Sequence, residues 1–153
     1  MTKNDILRRV RYALNIDDIK VASIITLTGR TTTADEVTSW LKREDETGYV
    51  EISDSILCRF FDGLIIEKRG PHPSGNIPEP LGFLSNNEIL KKLRIALELK
   101  ETDVLNVFKK ADFVVTKAEL GSFFRTEGHR NYRKCPEQVL RKFIHGLSKP
   151  NEA

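Results

Sequence analysis

Two stretches of the chain decide its fold: Asn4-Asp-Ile-Leu-Arg-Arg-Val-Arg-Tyr-Ala-Leu14 and, 83 residues further on, Asn87-Glu-Ile-Leu-Lys-Lys-Leu-Arg-Ile-Ala-Leu97. In the first stretch the apolar residues follow the period of an α-helix and form one stripe along it. The stripe comprises Ile6, Leu7, Val10, Ala13 and Leu14. The second stretch repeats that stripe with residues of the same kind. Each stretch therefore predicts an amphipathic helix, and the pair predicts an internal duplication.

The duplication covers almost the whole chain. Residues 2–64 align with residues 85–147 without a gap, and 16 of the 63 paired positions are identical. Between the copies, residues 70–82 contain four of the six prolines. Proline fixes φ and removes a backbone donor, so this stretch predicts an extended connector. The sequence therefore predicts a first helical repeat over residues 1–70, a Pro/Gly-rich linker over 71–84 and a second helical repeat over 85–149.

Each copy is predicted to contain four helices, because apolar periodicity and helix-start signals recur and no segment alternates with the period of a strand. A Thr-x-x-Glu capping-box pattern at residues 33–36 and 116–119 opens the third helix of each copy. Gly63 and Gly146 lie inside the fourth helices, where we expect a second helix to pass close by, with a helix break as the alternative. The predicted fold is all-α, with two tandem four-helix repeats that are related by pseudo-symmetry and pack on each other.

Composition narrows the class of protein. The chain has 153 residues, of which 39% are hydrophobic and 31% charged, a balance typical of a soluble globular chain rather than a collagen-like or disordered one. No apolar run approaches the roughly 20 residues that span a bilayer, and the first residues lack the apolar part of a signal peptide. We therefore expect no membrane partner. Two cysteines, Cys58 and Cys135, are too few for a disulfide framework, which favours a cytoplasmic location.

The sequence contains no pattern typical of a metal, cofactor or catalytic site. The three histidines are scattered, no His/Cys pair has the spacing of zinc ligands, and phosphate-loop, dinucleotide-binding and hydrolase motifs are missing. We therefore predict no metal, no cofactor and no catalytic residue. Cys135 stands just before a helix and His129 lies six residues upstream, which leaves a nucleophile–base pair as a minor alternative.

Seven pairs of polar residues are identical in the two copies: Asn4/Asn87, Arg11/Arg94, Thr33/Thr116, Glu36/Glu119, Ser39/Ser122, Glu44/Glu127 and Tyr49/Tyr132. Arg11 and Arg94 flank the apolar stripe of the first helix, where a half-buried guanidinium needs an acceptor. Glu44 and Glu127 are the retained acids that could bind it with two hydrogen bonds. We therefore predict the structural ion pairs Arg11–Glu44 and Arg94–Glu127, with a duplicated anion or substrate site as the alternative.

Charge separates the two copies, and most of the difference lies in one aligned segment. Residues 42–51, the acidic segment, carry a net charge of −2, whereas residues 125–134, the basic segment, carry +3. The basic segment interleaves cations with two rings, in the order Arg125, His129, Arg130, Tyr132, Arg133 and Lys134. Cationic groups can bind phosphates while an aromatic ring stacks on a base. These six residues are the candidate anion- or nucleic-acid-binding site, and the helix that begins near Pro136 would add amide donors.

These observations favour a non-enzymatic binding or regulatory module whose partner is a nucleic acid or an acidic protein surface. Three alternatives stay open. The basic segment can be an ordinary solvated loop. The acidic segment of one molecule can meet the basic segment of another, which would give a homo-oligomer. Finally, an enzyme can have a pocket between the repeats that uses Arg11, Arg94 and Tyr132.

Three stretches of the first copy, Asn4–Leu14, Trp40–Glu46 and Phe60–Gly70, resemble the YehS-like family of small bacterial proteins. The duplicated helical unit of that family matches both halves of the chain. The resemblance implies a cytoplasmic bacterial protein, and it carries over no catalytic or binding residue. The second copy has Phe123-Phe-Arg-Thr-Glu-Gly128 where the first has Trp-Leu-Lys-Arg-Glu-Asp. The resemblance therefore does not imply the same function for both copies.

Overall fold

A computed structural model describes residues 1–150, and these residues contain eight α-helices. The helices of the first copy are α1 (Lys3–Leu14), α2 (Asp18–Thr26), α3 (Ala34–Leu41) and α4 (Asp54–Arg69). Those of the second copy are α5 (Asn86–Ala96), α6 (Glu101–Lys110), α7 (Lys117–Phe124) and α8 (Glu137–Leu147). Residues 1–150 contain no β-strand, which confirms the predicted all-α class. None of these eight helices is both long and apolar enough to cross a membrane.

The helices divide into two compact units, unit 1 over Met1–Leu84 and unit 2 from Ser85 onward. Each unit contains four helices, in agreement with the predicted tandem organisation. The last residues of the predicted linker pack on unit 1. The Leu84 side chain is fully buried, its N–H donates to Asp54 Oδ2 at 2.8 Å, and the Ser55 hydroxyl donates to the carbonyl oxygen of Leu81 at 3.2 Å.

Side-chain caps fix where α3 and α7 begin. The hydroxyls of Thr33 and Thr116 accept the N–H of Glu36 and Glu119 at 3.2 and 3.1 Å, respectively. In return each glutamate accepts the N–H of its threonine, at 3.2 Å in unit 1 and 3.3 Å in unit 2. These bonds satisfy amides that a first helical turn leaves without partners. The predicted capping boxes are confirmed at both helices.

Each unit is built around apolar side chains from all four of its helices. The core of unit 1 includes the buried residues Ile6, Leu7, Val10, Ile24, Val37 and Phe60. The core of unit 2 includes the buried residues Leu90, Leu93, Phe108, Leu120 and Phe143. Removal of these side chains from water is the main force that holds such small helical units together. Of the apolar stripe predicted for the first helix, Ile6, Leu7 and Val10 are buried, and Ala13 and Leu14 are half-buried.

Gly63 and Gly146 let two helices of a unit approach closely. A Cβ atom added to Gly63 would overlap the carbonyl oxygen of Ile24 in α2, and one added to Gly146 would overlap that of Val107 in α6. Both α4 and α8 continue beyond their glycine. The predicted close approach is therefore confirmed at both glycines. The alternative of a helix break is wrong at Gly63, whereas α8 ends at Leu147, one residue after Gly146. The packing gain offsets the cost of about 1 kcal/mol that an interior glycine carries relative to alanine.

Candidate anion-binding site

The basic segment forms a compact double turn between α7 and α8. Arg125 ends α7 with an extended backbone, φ −69° and ψ 155°. Two turns follow, closed by hydrogen bonds from His129 N–H to Thr126 O and from Tyr132 N–H to His129 O, each 2.9 Å long. The chain then runs without regular structure to the start of α8. The segment has a defined backbone, although most of its side chains are exposed.

A buried amide from α5 holds this backbone in place. The Nδ2 group of Asn87 donates to the carbonyl oxygen of Phe123 at 3.1 Å and to that of Arg133 at 2.8 Å. Its Oδ1 atom accepts the N–H of Cys135 at 2.8 Å. The Asn87 side chain therefore joins the end of α7 to the end of the basic segment. This role of Asn87 was not predicted from the sequence. The available signal was a polar residue that is identical in both copies, Asn4 and Asn87, beside a buried stripe.

A groove of about 500 Å³ lies between α7 and the basic segment. Four of its lining residues are cations: Lys117, Arg125, Arg130 and Arg133. Tyr132 also lines it, as does Glu119, the one acidic lining residue among those that the structure describes. The Oε1 atom of Glu119 accepts hydrogen bonds from the N–H and hydroxyl of Thr116 within the capping box of α7. The groove is therefore predominantly cationic.

The three arginines of the groove form no ion pair with a described residue. Within residues 1–150, no carboxylate lies within 4.0 Å of the charged groups of Arg125, Arg130 or Arg133. Like charges that converge on a concave surface raise the local positive potential and attract anions. In unit 1, by contrast, Arg8 pairs with Asp5. The groove therefore keeps its charge available for an anionic ligand.

Tyr132 is half-buried in the groove wall. Partial burial raises the pKa of its phenol above the ordinary value of 10.0, and the negative charges of Glu127 and Glu88 add to that rise. The phenol thus stays protonated at neutral pH and can donate a hydrogen bond as well as offer its ring. His129 has a different role, since its Nδ1 atom accepts the N–H of Asn131 at 3.0 Å and so shapes the turn.

The structure brings four of the six predicted site residues together in the groove: Arg125, Arg130, Tyr132 and Arg133. His129 and Lys134 are exposed on the same segment but do not line the groove. Lys117, which was not among the predicted residues, reaches the groove from the first turn of α7. The aligned residue of the first copy is Ala34, so a search for cations gained along the whole repeat would have found it.

The corresponding part of unit 1 has the same backbone scheme with different side chains. Asn4 donates to the carbonyl oxygens of Trp40 and Val50, both at 2.9 Å, and accepts the N–H of Ile52 at 3.2 Å. The positions aligned with Arg130 and Arg133 hold Thr47 and Val50. Lys42, aligned with Arg125, folds over its own turn and donates to the carbonyl oxygen of Thr47 at 3.0 Å. The cationic groove is therefore a property of unit 2.

Comparisons with known proteins place this duplicated unit in a family. The model of the family described as "Protein of unknown function (DUF1456)" matches the chain twice, over residues 3–70 and 86–151. The chain belongs to this family. It is also 40% identical over 148 residues to "Uncharacterized protein YehS" of Escherichia coli (strain K12), an alignment that covers 97% of this chain and 95% of that protein. No solved structure gives a significant match to the chain.

The two matches to one family model fall on the two structural units and leave the connector between them unmatched. Each unit is therefore one copy of the element that defines the family, which agrees with the duplication predicted from the sequence. The family description assigns no activity to that element. The chemistry of the groove must consequently be argued from its own residues.

The predicted ion partners of the two retained arginines differ in the structure. Arg11 Nη2 lies 3.4 Å from Asp18 Oδ1 at the start of α2, and not beside the predicted acid Glu44. Asp18 is the acid that comes near because α2 begins a few residues after α1 ends, whereas Glu44 projects from an exposed turn.

Arg94 likewise does not pair with Glu127, which is exposed in the basic segment. Its Nε atom donates to the carbonyl oxygen of Leu99 at 3.0 Å, and its guanidinium lies over the ring of Phe124, 4.6 Å from the centroid. A planar cation on an aromatic face is a favourable arrangement that needs no carboxylate. Arg94 therefore serves the packing of α7 against α5 within unit 2.

Cys135 is not a nucleophile. Its side chain is 4% exposed, and burial raises the pKa of the thiol to about 12. The reactive thiolate would be a negligible fraction at neutral pH. The nucleophile–base alternative with His129 is therefore wrong.

Proposed function

We propose that this protein is a non-enzymatic binding or regulatory module, and that the groove of unit 2 binds an anionic partner. Nucleic acid is the preferred partner and an acidic protein surface the second. We also propose that it acts in the cytoplasm, since its two cysteines are too few for the disulfide framework that is typical of oxidising compartments.

One observation carries the proposal: four cations converge on a groove in which Glu119 is the one acidic lining residue that the structure describes, and Arg125, Arg130 and Arg133 form no ion pair within residues 1–150. Lys117 comes from α7, while Arg125, Arg130 and Arg133 come from the basic segment. A guanidinium matches the geometry of a phosphate and can donate two parallel hydrogen bonds to it. Phosphates that bind such a site release counterions, which makes the binding favourable and sensitive to salt.

Tyr132 favours nucleic acid over an acidic protein. Its ring lines the same groove as the cations, so one ligand could contact both. A nucleotide offers a phosphate to the cations and a flat base to the ring, whereas an acidic peptide offers the carboxylate alone. Stacking of a base on an aromatic side chain contributes about 1–3 kcal/mol to binding.

Self-association is the second candidate, and the acidic segment of unit 1 supports it. Glu44, Asp45 and Glu51 are exposed, so they are free to meet cations of another molecule. A contact between the acidic segment of one copy and the groove of the next is heterologous and would build chains or rings. Such an assembly would weaken with salt and would block the groove.

Charge reversal in the groove tests the proposal. We expect Arg130→Glu with Arg133→Glu to weaken binding of a fluorescein-labelled single-stranded oligonucleotide, measured by anisotropy in a salt series. The slope of log K against log salt should fall by about 1.4, because each phosphate contact to a single strand contributes about 0.7. Arg141→Glu with Lys149→Glu is the matched control, since both residues are exposed in unit 2, lie outside the groove and give the same change of charge.

Binding of equal strength by the wild type and both double variants at low salt would contradict the proposal, provided that circular dichroism shows intact helices. Equal loss in both double variants would mean that net charge matters and the groove does not. A molecular mass that rises with protein concentration and falls with salt, together with no oligonucleotide binding, would favour self-association.

A further inference from the structure

Gly121 is an interior glycine of α7 that packing does not explain. An added Cβ at Gly63 or Gly146 would overlap a backbone carbonyl, whereas a Cβ added to Gly121 meets no atom within 4 Å. Its φ also lies outside the positive range in which glycine is favoured. Glycine weakens a helix, so neither the fold nor the backbone conformation accounts for this residue.

The open space at Gly121 is the groove itself. Gly121 is one of the residues that line it, and the aligned residue of the first copy is Thr38. Where a side chain is missing from a helix surface, the backbone of a ligand can approach that surface closely. A glycine at this point therefore deepens the groove between the cations and Tyr132.

We infer that this groove admits an unpaired nucleotide, so that the ligand of unit 2 is single-stranded nucleic acid with its sugar–phosphate backbone against α7 at Gly121 and a base on Tyr132. This inference rests on the proposed function and specifies the form of the nucleic acid. It states that an unpaired strand lies against α7 at Gly121, whereas the proposed function requires only that an anionic partner binds the cations of the groove.

The size and shape of the groove support a single strand. A volume of about 500 Å³ falls within the range of sites that hold small molecules, about 300–1,000 Å³, and has room for one or two nucleotides. A duplex is read by an element that projects into its groove, and its bases already stack on one another. Here the cations and Tyr132 line a concave surface, which suits a base that is free to leave its neighbours.

The test compares ligands and variants of the full chain by fluorescence anisotropy. The probe is a fluorescein-labelled 12-nucleotide single strand of mixed sequence, with the corresponding duplex and a mixture of nucleoside monophosphates as competitors. We expect the single strand to compete better than the duplex, and the monophosphates to compete only at far higher nucleotide concentration.

Gly121→Thr introduces the residue of the first copy and fills the groove. We expect it to weaken single-strand binding at least about fivefold, because overfilling a close contact is costly. The thermal midpoint should not fall, because threonine is the better helix former and the space is open. Tyr132→Leu should weaken binding at least about fivefold through lost stacking. Arg141→Glu, outside the groove, should leave the preference for single strands unchanged.

Four results would overturn the inference. If the duplex competes as well as the single strand, the proposed function survives but the ligand need not be single-stranded. If Gly121→Thr binds like the wild type while Arg130→Glu with Arg133→Glu loses binding, the proposed function survives but the ligand does not lie against Gly121. If monophosphates compete as well as the strand at equal nucleotide concentration, the ligand is a free nucleotide. If the wild type binds none of these ligands, the proposed function and the inference fail together.

Discussion

Replacement of Gly146 by alanine tests the close contact between α8 and α6. The new methyl group would overlap the carbonyl oxygen of Val107. That atom belongs to the backbone of α6, so no change of rotamer can relieve the overlap and the two helices must separate. Separation costs contacts among the buried side chains around the crossing, such as those of Phe108 and Phe143, whose ring centroids lie 5.4 Å apart.

Two opposing effects set the size of the change. Alanine is favoured over glycine by about 1 kcal/mol in a helix interior. Overfilling a packed core typically costs about 1–3 kcal/mol, and a rigid backbone oxygen places this site at the upper end of that range. We therefore expect the free energy of unfolding of unit 2 to fall by about 2 kcal/mol. For a domain of this size each 1 kcal/mol lowers Tm by about 4–8 °C, so Tm should fall by about 8–16 °C.

Thermal unfolding followed by circular dichroism at 222 nm measures this change, and Gly121→Ala is the control. Both variants exchange glycine for alanine inside a helix of unit 2, but the Cβ at residue 121 meets nothing. The control should raise Tm, by up to about 8 °C. A Gly146→Ala protein as stable as the wild type would refute the argument from close approach, because helix propensity would then dominate at both glycines.

Two further predictions concern the buried amide and a capping carboxylate. Asn87→Ala removes three hydrogen bonds of a buried side chain and should destabilise unit 2 by about 3 kcal/mol. The control Asn86→Ala removes one hydrogen bond, to the carbonyl oxygen of Cys135, and should cost about 1 kcal/mol or less. Equal Tm values for the two variants would contradict this prediction. The hydrogen bond from the N–H of Thr33, and after it the one from the Arg30 guanidinium, lower the pKa of Glu36 below its ordinary value of 4.5. The ionised Glu36 carboxylate therefore stabilises the folded state above pH 4.5, and this stabilisation is lost as the pH falls through the lowered folded-state pKa. Glu36→Gln keeps the cap but cannot titrate, and should flatten the dependence of Tm on pH between about pH 5 and pH 3; an unchanged pH profile would argue against this assignment.

The helices and their division into two units could be predicted from the sequence because both depend on short-range patterns. The stripe of Ile6, Leu7 and Val10 reports the helical period directly, and the Thr-x-x-Glu signal reports the first turn of α3 and α7. Gly63 and Gly146 were informative because an interior glycine in both copies has few explanations apart from a close neighbour. The sequence could not show that the neighbours are α2 and α6.

The partners of long side chains were not predictable in the same way. Arg11 was assigned to Glu44 on the ground that both are retained, yet Asp18 lies closer once α2 folds back from α1. Arg94 finds the ring of Phe124 and not an acid. A flexible arginine can reach several acceptors, and the choice among them depends on how the helices pack rather than on which residue types recur.

The candidate site was located by its charge, but its shape came from the fold. Arg125, Arg130 and Arg133 stood out because the aligned segment of the first copy is acidic. Lys117 was missed because it lies on the preceding helix, whose exposed face borders the groove only after the basic segment turns back toward it. Gly121 carried no signal in the sequence beyond the cost of a glycine in a helix.

The side-chain amide of Asn87, like that of Asn4, hydrogen-bonds only to main-chain atoms of the chain around its loop. Most side chains are therefore compatible with these hydrogen bonds. The exceptions are Gly128, whose φ of +96° favours glycine, and His129, whose Nδ1 atom accepts the N–H of Asn131. Mutations at the other positions of residues 125–134 can therefore accumulate at little cost to folding. In a duplicated protein with two such loops, the surface side chains of one loop could change while those of the other stayed the same. The asparagine thus allows the loop to acquire binding to a new partner while the packing of the core stays unchanged.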